Sequence, residues 1–271
     1  MKQWTEGDVI TNGIRMHYYR TGCGDKPALV LAHGGSDNGL CWTRVARALE
    51  QDYDIVMIDA RNHGKSESTR GPSGPDDQGD DLAGLIVALQ LDKPAVMGHS
   101  MGGGATLSLA SNHPDLLSRA ILEDSGPYEF DPSRFTPEAM ARMRTSIQEL
   151  QQLTRDEIIA RGHQQSPTWH EDELGPWADS KLQANAESMG RYSPRVVSWR
   201  DNFARTTCPI LVIRADNDRG AMVTPELAAE AARTFANVEI AHVPGAGHNV
   251  RRENYDGFMA AVTAFLAKTA R

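Results

Sequence analysis

Apolar positions along the chain fall into short runs of strand length and longer stripes at helical spacing, and the two kinds alternate. Residues 9–11 and 14–19 are β-rich and separated by Asn12-Gly13, a pairing that favours a tight hairpin, so they predict an antiparallel pair. Residues 28–32 form a continuous apolar run, the pattern of a strand covered on both faces. Trp42, Val45, Ala46 and Leu49 follow at the spacing of one helix face. The cycle repeats through a strand at 55–58 and a helical stripe of Leu82, Leu85, Ile86 and Leu89. A strand at 94–97, a small-residue helix at 101–113 and a strand at 119–122 continue it. Residues 70–79, rich in Gly, Pro and Asp, read as surface loop. Repeated strand–helix–strand units predict a mostly parallel sheet covered by helices.

Between residues 127 and 203 the rhythm stops. No buried-strand run occurs there, but three helix signals do: Thr136-Pro137-Glu138 as an N-cap with proline in the first turn, a capping box over Thr154 to Glu157, and a helical stretch over 176–189. The alternation resumes with a strand at 209–213, a helix from Pro225 to about Phe235, a strand at 238–243 and a last helix from about Glu253 to Lys268. The fold class expected is α/β, a doubly wound, mostly parallel sheet formed by residues 1–126 and 204–271. Residues 127–203 are expected as an inserted helical cap, because that segment is too short of apolar residues to carry its own core. A long insertion costs little entropy when its ends lie close together.

Composition narrows the partners. Of 271 residues, 40% are hydrophobic and 24% charged, the balance of a soluble globular chain. The net charge of −8 lacks the basic footprint of a nucleic-acid or anionic-membrane binder, so neither is expected as a partner. Cys23, Cys41 and Cys208 form no CxxC pair, which argues for reduced thiols rather than a disulfide framework or zinc knuckle. No H-E-x-x-H appears, and His33-Gly34-Gly35-Ser36 lacks the spaced third glycine of a dinucleotide fingerprint; neither metal nor organic cofactor is expected. The stretch MKQWTEGDVITNG holds no apolar run of signal-peptide length, and a cytoplasmic location is the expectation.

Chemistry concentrates at Gly98-His99-Ser100-Met101-Gly102, a G-x-S-x-G that follows a buried-strand run and opens a Gly- and Ala-rich helix. In that context the serine sits on a sharp strand-to-helix turn, its Oγ raised at the carboxyl edge of the sheet beside free N–H groups of the helix start.

With this elbow, and with the His33-Gly34-Gly35-Ser36 loop after an early buried strand, the chain resembles the α/β-hydrolase superfamily over nearly its whole length. The resemblance implies that Ser100 is a nucleophile and that the backbone N–H groups of Gly35 and Met101 form an oxyanion hole. The fourth loop position is Ser36 where the lipase-type loop has glycine, which leaves the first donor open between Gly35 and Ser36. His33 reads as a brace for that loop. The superfamily order of Ser, then acid, then His points to His248, in the loop Val243-Pro244-Gly245-Ala246-Gly247-His248. The acid expected is Asp218, on a turn after the strand at 209–213, with Ala215 where the family carries glycine; Asp216 and Asp124 are the alternatives.

The cap is expected to roof the pocket, with Trp169, Trp177, Met189 and Tyr192, and also Trp199, as candidates to line an apolar subsite. Arg142, Arg144 or Arg191 would be the groups to bind a substrate carboxylate. The function expected is hydrolysis of a small to medium carboxylic ester or lactone through an acyl-enzyme. Carbon–carbon bond hydrolysis, cofactor-free perhydrolysis and a catalytically silent ligand receptor are the alternatives on the same fold.

Overall fold

The computed structural model describes residues 4–69, 73–129, 136–188 and 197–268. Eight strands form one sheet: β1 (Thr5–Thr11), β2 (Ile14–Arg20), β3 (Ala28–Ala32), β4 (Asp54–Ile58), β5 (Ala95–His99), β6 (Arg119–Glu123), β7 (Ile210–Arg214) and β8 (Val238–His242), in the order β1-β2-β4-β3-β5-β6-β7-β8. The first two are antiparallel, turning at Asn12 and Gly13, both with positive φ, and β2 meets β4 antiparallel; β3 to β8 run parallel. After β3 the chain first moves outward to β4 and then returns past β3 to β5. This reversal opens a crevice beyond the carboxyl ends of β3 and β5, where open α/β sheets bind ligands.

The period-two alternation of the strands divides the core into two layers. Leu29, Leu31, Ile55, Met57 and Ile121 pack with Val45 and Leu49 of α1 (Thr43–Leu49) and with Phe258 and Val262 of α10 (Tyr255–Leu266). Val30, Val56, Val96 and Leu122 face α2 (Pro75–Ala88), α3 (Met101–Asn112) and α8 (Pro225–Thr234). Between β6 and β7 lie α4 (Pro137–Leu150), α5 (Arg155–Gln165), α6 (Glu171–Gln183) and α7 (Trp199–Ala204). Thr136 caps α4 and Thr154 closes the capping box of α5. Among the described residues no helix is long and apolar enough to cross a membrane.

Three boundaries differ from the sequence expectation. Residues 75–79 are not loop but the first turns of α2: Pro75 is its first residue, Asp76 and Asp77 favour its positive end, and Asp77 accepts the Gly74 N–H. Gly79 suits this helix because a side chain there would meet Ser108 Oγ at 2.8 Å, so the glycine lets α2 and α3 approach. The third helix of the 127–203 segment begins at Glu171, capped by His170, and carries Pro176 inside it rather than at its start. The last helical segment is broken at Asn254 into α9 (Val250–Glu253) and α10, the Asn254 side chain accepting from Gly257 N–H.

Candidate active site

Ser100 stands alone between β5 and α3 with φ +50° and ψ −111°, a backbone conformation that L-residues rarely adopt. The fold holds it there. Its N–H donates to Glu123 O at 3.1 Å, and its carbonyl accepts from Gly104 N–H at 2.9 Å and the Ser125 hydroxyl at 3.1 Å. A Cβ on Gly98 would sit 2.1 Å from Gly102 O, and one on Gly102 would sit 2.3 Å from Ala32 O. The elbow motif is therefore a packing requirement as well as a turn.

His248 Nε2 lies 3.0 Å from Ser100 Oγ, and Nδ1 lies 2.6 Å from Oδ2 of Asp124. The network assigns the proton to Nδ1, leaving Nε2 to accept from the serine. Asp124, in the loop after β6 with φ +43°, is fully buried and also accepts N–H groups from Met222 and Val223 at 2.8–3.1 Å. Asp218, the acid expected from the sequence, is exposed on a 3₁₀ turn, Asn217–Arg219, that ends at the left-handed Gly220. The segment after β7 thus turns backbone N–H groups, not a carboxylate, toward the site. Asp216 is also elsewhere: it accepts from Gly245 N–H at 2.7 Å and pairs with His242 at 2.6 Å, contacts that hold its carboxyl below the usual range. The structure brings Ser100, His248 and Asp124 together and leaves Asp218 out.

His248 is positioned through its backbone. His99 is buried beside it, and its Nε2–H donates to His248 O at 2.9 Å. Burial, with the nearby Arg251 charge, keeps His99 well below the ordinary imidazole range and hence neutral. Behind the loop, Glu253 accepts the Gly247 N–H at 2.6 Å.

The His33–Asp37 segment forms the other lip. His33 is buried and held neutral by burial, its pKa lowered to about 3; Nε2 accepts Ala60 N–H at 3.0 Å and Nδ1 contacts Gly34 O at 2.8 Å, so it braces the loop. Ser36 N–H is engaged by Nε2 of His63 at 3.2 Å, which removes it as an oxyanion donor. Among the described residues no acceptor meets the N–H of Gly35 or Met101, and both residues line the cavity beside Ser100.

That cavity has a volume of about 340 Å³. Met101, Met140, Met143, Met222 and Pro75 supply apolar wall; Asn62, His63, Ser73 and Gln78 form a polar side. Gln78 Oε1 is buried with no partner among the described residues. Trp169 and Trp177 do not line it. They meet edge to face at 5.8 Å, Trp169 beneath the Arg252 guanidinium and Trp177 beside the Lys181 ammonium. They were legible as large apolar groups, but their aromatic faces serve buried cations. Met189, Tyr192 and Arg191 lie outside the described residues. Trp199 packs on Phe203 and Phe235, Arg144 faces Glu187 at 3.7 Å, and Arg142 is exposed. The roles of the α4 methionines and of Met222 are not legible in the sequence, where nothing separates a cavity-facing methionine from a core one. Among the described residues no group of three or more His, Cys, Asp or Glu could hold a metal ion.

Comparison with known proteins agrees with this architecture. The profile of the Alpha/beta hydrolase family matches residues 29–261. The chain is 30% identical over 274 residues to an N-formylmaleamate deformylase of Pseudomonas putida, covering 96% of each chain. It is 27% identical over 240 residues to an esterase of Escherichia coli, covering 88% of this chain and 92% of that one. The crystal structure of an E-2-(acetamidomethylene)succinate hydrolase superposes with a TM-score of 0.82 at 22% identity, over 98% of this chain and all of the other, which shows a shared fold.

Proposed function

The chain belongs to the alpha/beta hydrolase family, and we propose that it is a serine hydrolase that cleaves a small to medium carboxylic ester or lactone through an acyl-enzyme. The observation that carries the reading is the unbroken chain of contacts from Ser100 Oγ through His248 to Asp124, at 3.0 and 2.6 Å. A serine hydroxyl is a weak nucleophile at neutral pH and needs a base, and the base needs an orienting acid. In the proposed cycle His248 Nε2 takes the Oγ proton as Oγ attacks the substrate carbonyl. The oxyanion is held by the N–H groups of Gly35 and Met101. Asp124 holds the tautomer and offsets the imidazolium charge. The imidazolium protonates the leaving group, and a water deprotonated by the same nitrogen then releases the acid and frees Ser100. The methionine wall suits an apolar acyl group, and the Gln78 amide, on the polar side of the same cavity, suits a substrate hydroxyl or N–H.

Similarity to an esterase supports the ester reading. Similarity to a deformylase favours a second reading, in which the bond cleaved is that of a formyl group. Intact-mass analysis after treatment with a fluorophosphonate, followed by a panel of graded acyl esters, lactones and N-formyl compounds, tests both. An adduct on Ser100 with turnover of esters or lactones supports the first; an adduct with turnover of N-formyl compounds alone supports the second. No adduct removes both.

A further inference from the structure

The Gly35 N–H is aimed by a tight turn. Asp37 N–H donates to Gly34 O at 3.2 Å, and the third residue of that turn, Ser36, has φ +61° while Gly35 is outside the positive-φ region. This is the geometry of a type II turn, whose third position normally takes glycine. The carbonyl of the Gly34–Gly35 peptide is occupied by Asp37 N–H and contacted by His33 Nδ1. Since the peptide is planar and trans, the Gly35 N–H points the opposite way. The donor direction therefore depends on the turn staying closed, and the closed turn holds Ser36 in a strained conformation.

A strained backbone persists only when its surroundings hold it. Two groups do so here. His63 takes the Ser36 N–H. Lys181, from α6 of the insertion, donates to Ser36 O at 2.8 Å, Ser36 Oγ at 3.0 Å and Asp37 Oδ1 at 2.9 Å. Lys181 is buried, so its charge is held by these contacts rather than by water. Asp37 is also met by Arg252 at 3.0 Å and Arg251 at 3.4 Å, and so keeps counter-charges if the lysine is removed. Among the described residues Ser36 O and Oγ have no other side-chain partner.

We propose that Lys181 is a positioning residue for the oxyanion hole: by clamping Ser36 in the third position of the 34–37 turn it aims the Gly35 N–H. The inference rests on the serine-hydrolase reading above. It makes part of the inserted segment a structural partner of the catalytic loop as well as a roof.

The test compares wild type, Lys181→Met and Glu173→Gln. Glu173 lies on the same helix and is buried against Arg252 at 3.2 Å, but has no direct contact with the 34–37 turn, so its variant loosens a buried ion pair of α6 and leaves the Lys181 clamp on Ser36 in place. Lys181→Met lowers kcat on a nitrophenyl ester by about 10- to 100-fold with KM within about twofold, and weakens inhibition by a boronic acid, a tetrahedral mimic, by a similar factor. Glu173→Gln lowers the melting temperature and leaves kcat within about twofold. Should the methionine variant not fold, Lys181→Gln serves the same comparison. Unchanged kcat and boronate affinity in the lysine variant, or an equal kcat loss in Glu173→Gln, overturns the proposal. Wild type that takes no fluorophosphonate adduct on Ser100 overturns the hydrolase reading and this inference with it. Labelled, active wild type beside an unaffected lysine variant overturns the inference alone.

Discussion

Asp124 and His248, 124 positions apart in the chain, meet at 2.6 Å, and the carboxylate between them is pinned on its other side by the backbone of Met222 and Val223. The acid thus has its two neighbours fixed before substrate arrives. Asp124→Asn keeps the shape but favours the wrong imidazole tautomer, and lowers kcat by about 10³- to 10⁴-fold. Asp218→Asn, altering an exposed turn residue, leaves kcat within about twofold. Kinetics of the two purified variants on one ester check the assignment; a large loss in the second with none in the first reverses it.

Ser100→Ala and His248→Ala each lower kcat by about 10⁴-fold or more, and the pair together costs little beyond either alone, because the two side chains act as a unit. Ser100→Ala also abolishes the fluorophosphonate adduct. Near-native turnover by either single variant contradicts the mechanism.

The elbow glycines differ in what a methyl group would strike. Gly98→Ala and Gly102→Ala drive Cβ to within 2.1 and 2.3 Å of backbone carbonyl oxygens, whereas at Gly104 the nearest atoms are Pro75 carbons at 3.7 Å. The first two variants lose about 3 kcal/mol or more of stability, or accumulate as insoluble protein. Gly104→Ala folds with a melting temperature within a few degrees of wild type (about 1 kcal/mol). Thermal unfolding of the three checks the order.

Three buried histidines set an acid limit. His33, His63 and His99 are all shifted below the ordinary imidazole value, chiefly by burial. In the unfolded chain they bind protons below about pH 6.5. The unfolded state therefore gains protons first, and stability falls as pH decreases, each histidine contributing a slope that approaches about 1.4 kcal/mol per pH unit until its folded-state pKa is reached. For His33 that window closes at about 3. Asp37 adds a second loss lower down: burial raises its pKa, but Arg252, Lys181 and Arg251 outweigh that and hold it well below the carboxylate range. Its contribution is present above about pH 4 and fades as pH falls further. Urea midpoints at pH 7.5, 6.5 and 5.5 should decrease in that order, and a flat series refutes the assignment.

Gln78 lines the polar side of the cavity, and its buried Oε1 has no partner among the described residues. Gln78→Leu lowers kcat/KM about tenfold on acyl esters bearing a hydroxyl near the carbonyl, and leaves plain acyl esters within about twofold. Equal effects on both series would mean that the amide takes no part in selection.

Much of the fold is legible along the chain because strand burial and helix periodicity are local properties. The continuous apolar run of β3, the stripe of Leu82, Leu85 and Ile86, and the caps at Thr136 and Thr154 each declare an element from within a few residues. The first turns of α2 are not legible, because Gly, Pro and Asp serve helix starts as well as loops, and the difference lies in what Gly79 packs against. The places of Trp169 and Trp177 are not legible, because an aromatic side chain has the same sequence signature whether it lines a cavity or covers a buried cation.

From its own order the chain determined a layered α/β sheet, an elbow at Ser100 and a histidine in a glycine-bent loop at 248, since each depends on neighbours in sequence. Only the folded molecule chose among Asp124, Asp216 and Asp218, because that choice depends on which of three carboxylates the loops after β6 and β7 carry to one imidazole. It likewise engaged the Ser36 N–H with His63 while leaving that of Gly35 without an acceptor among the described residues, and joined Lys181 to the same loop across 145 positions. Periodicity encodes which face a residue shows; the distance between two such faces is set by packing alone.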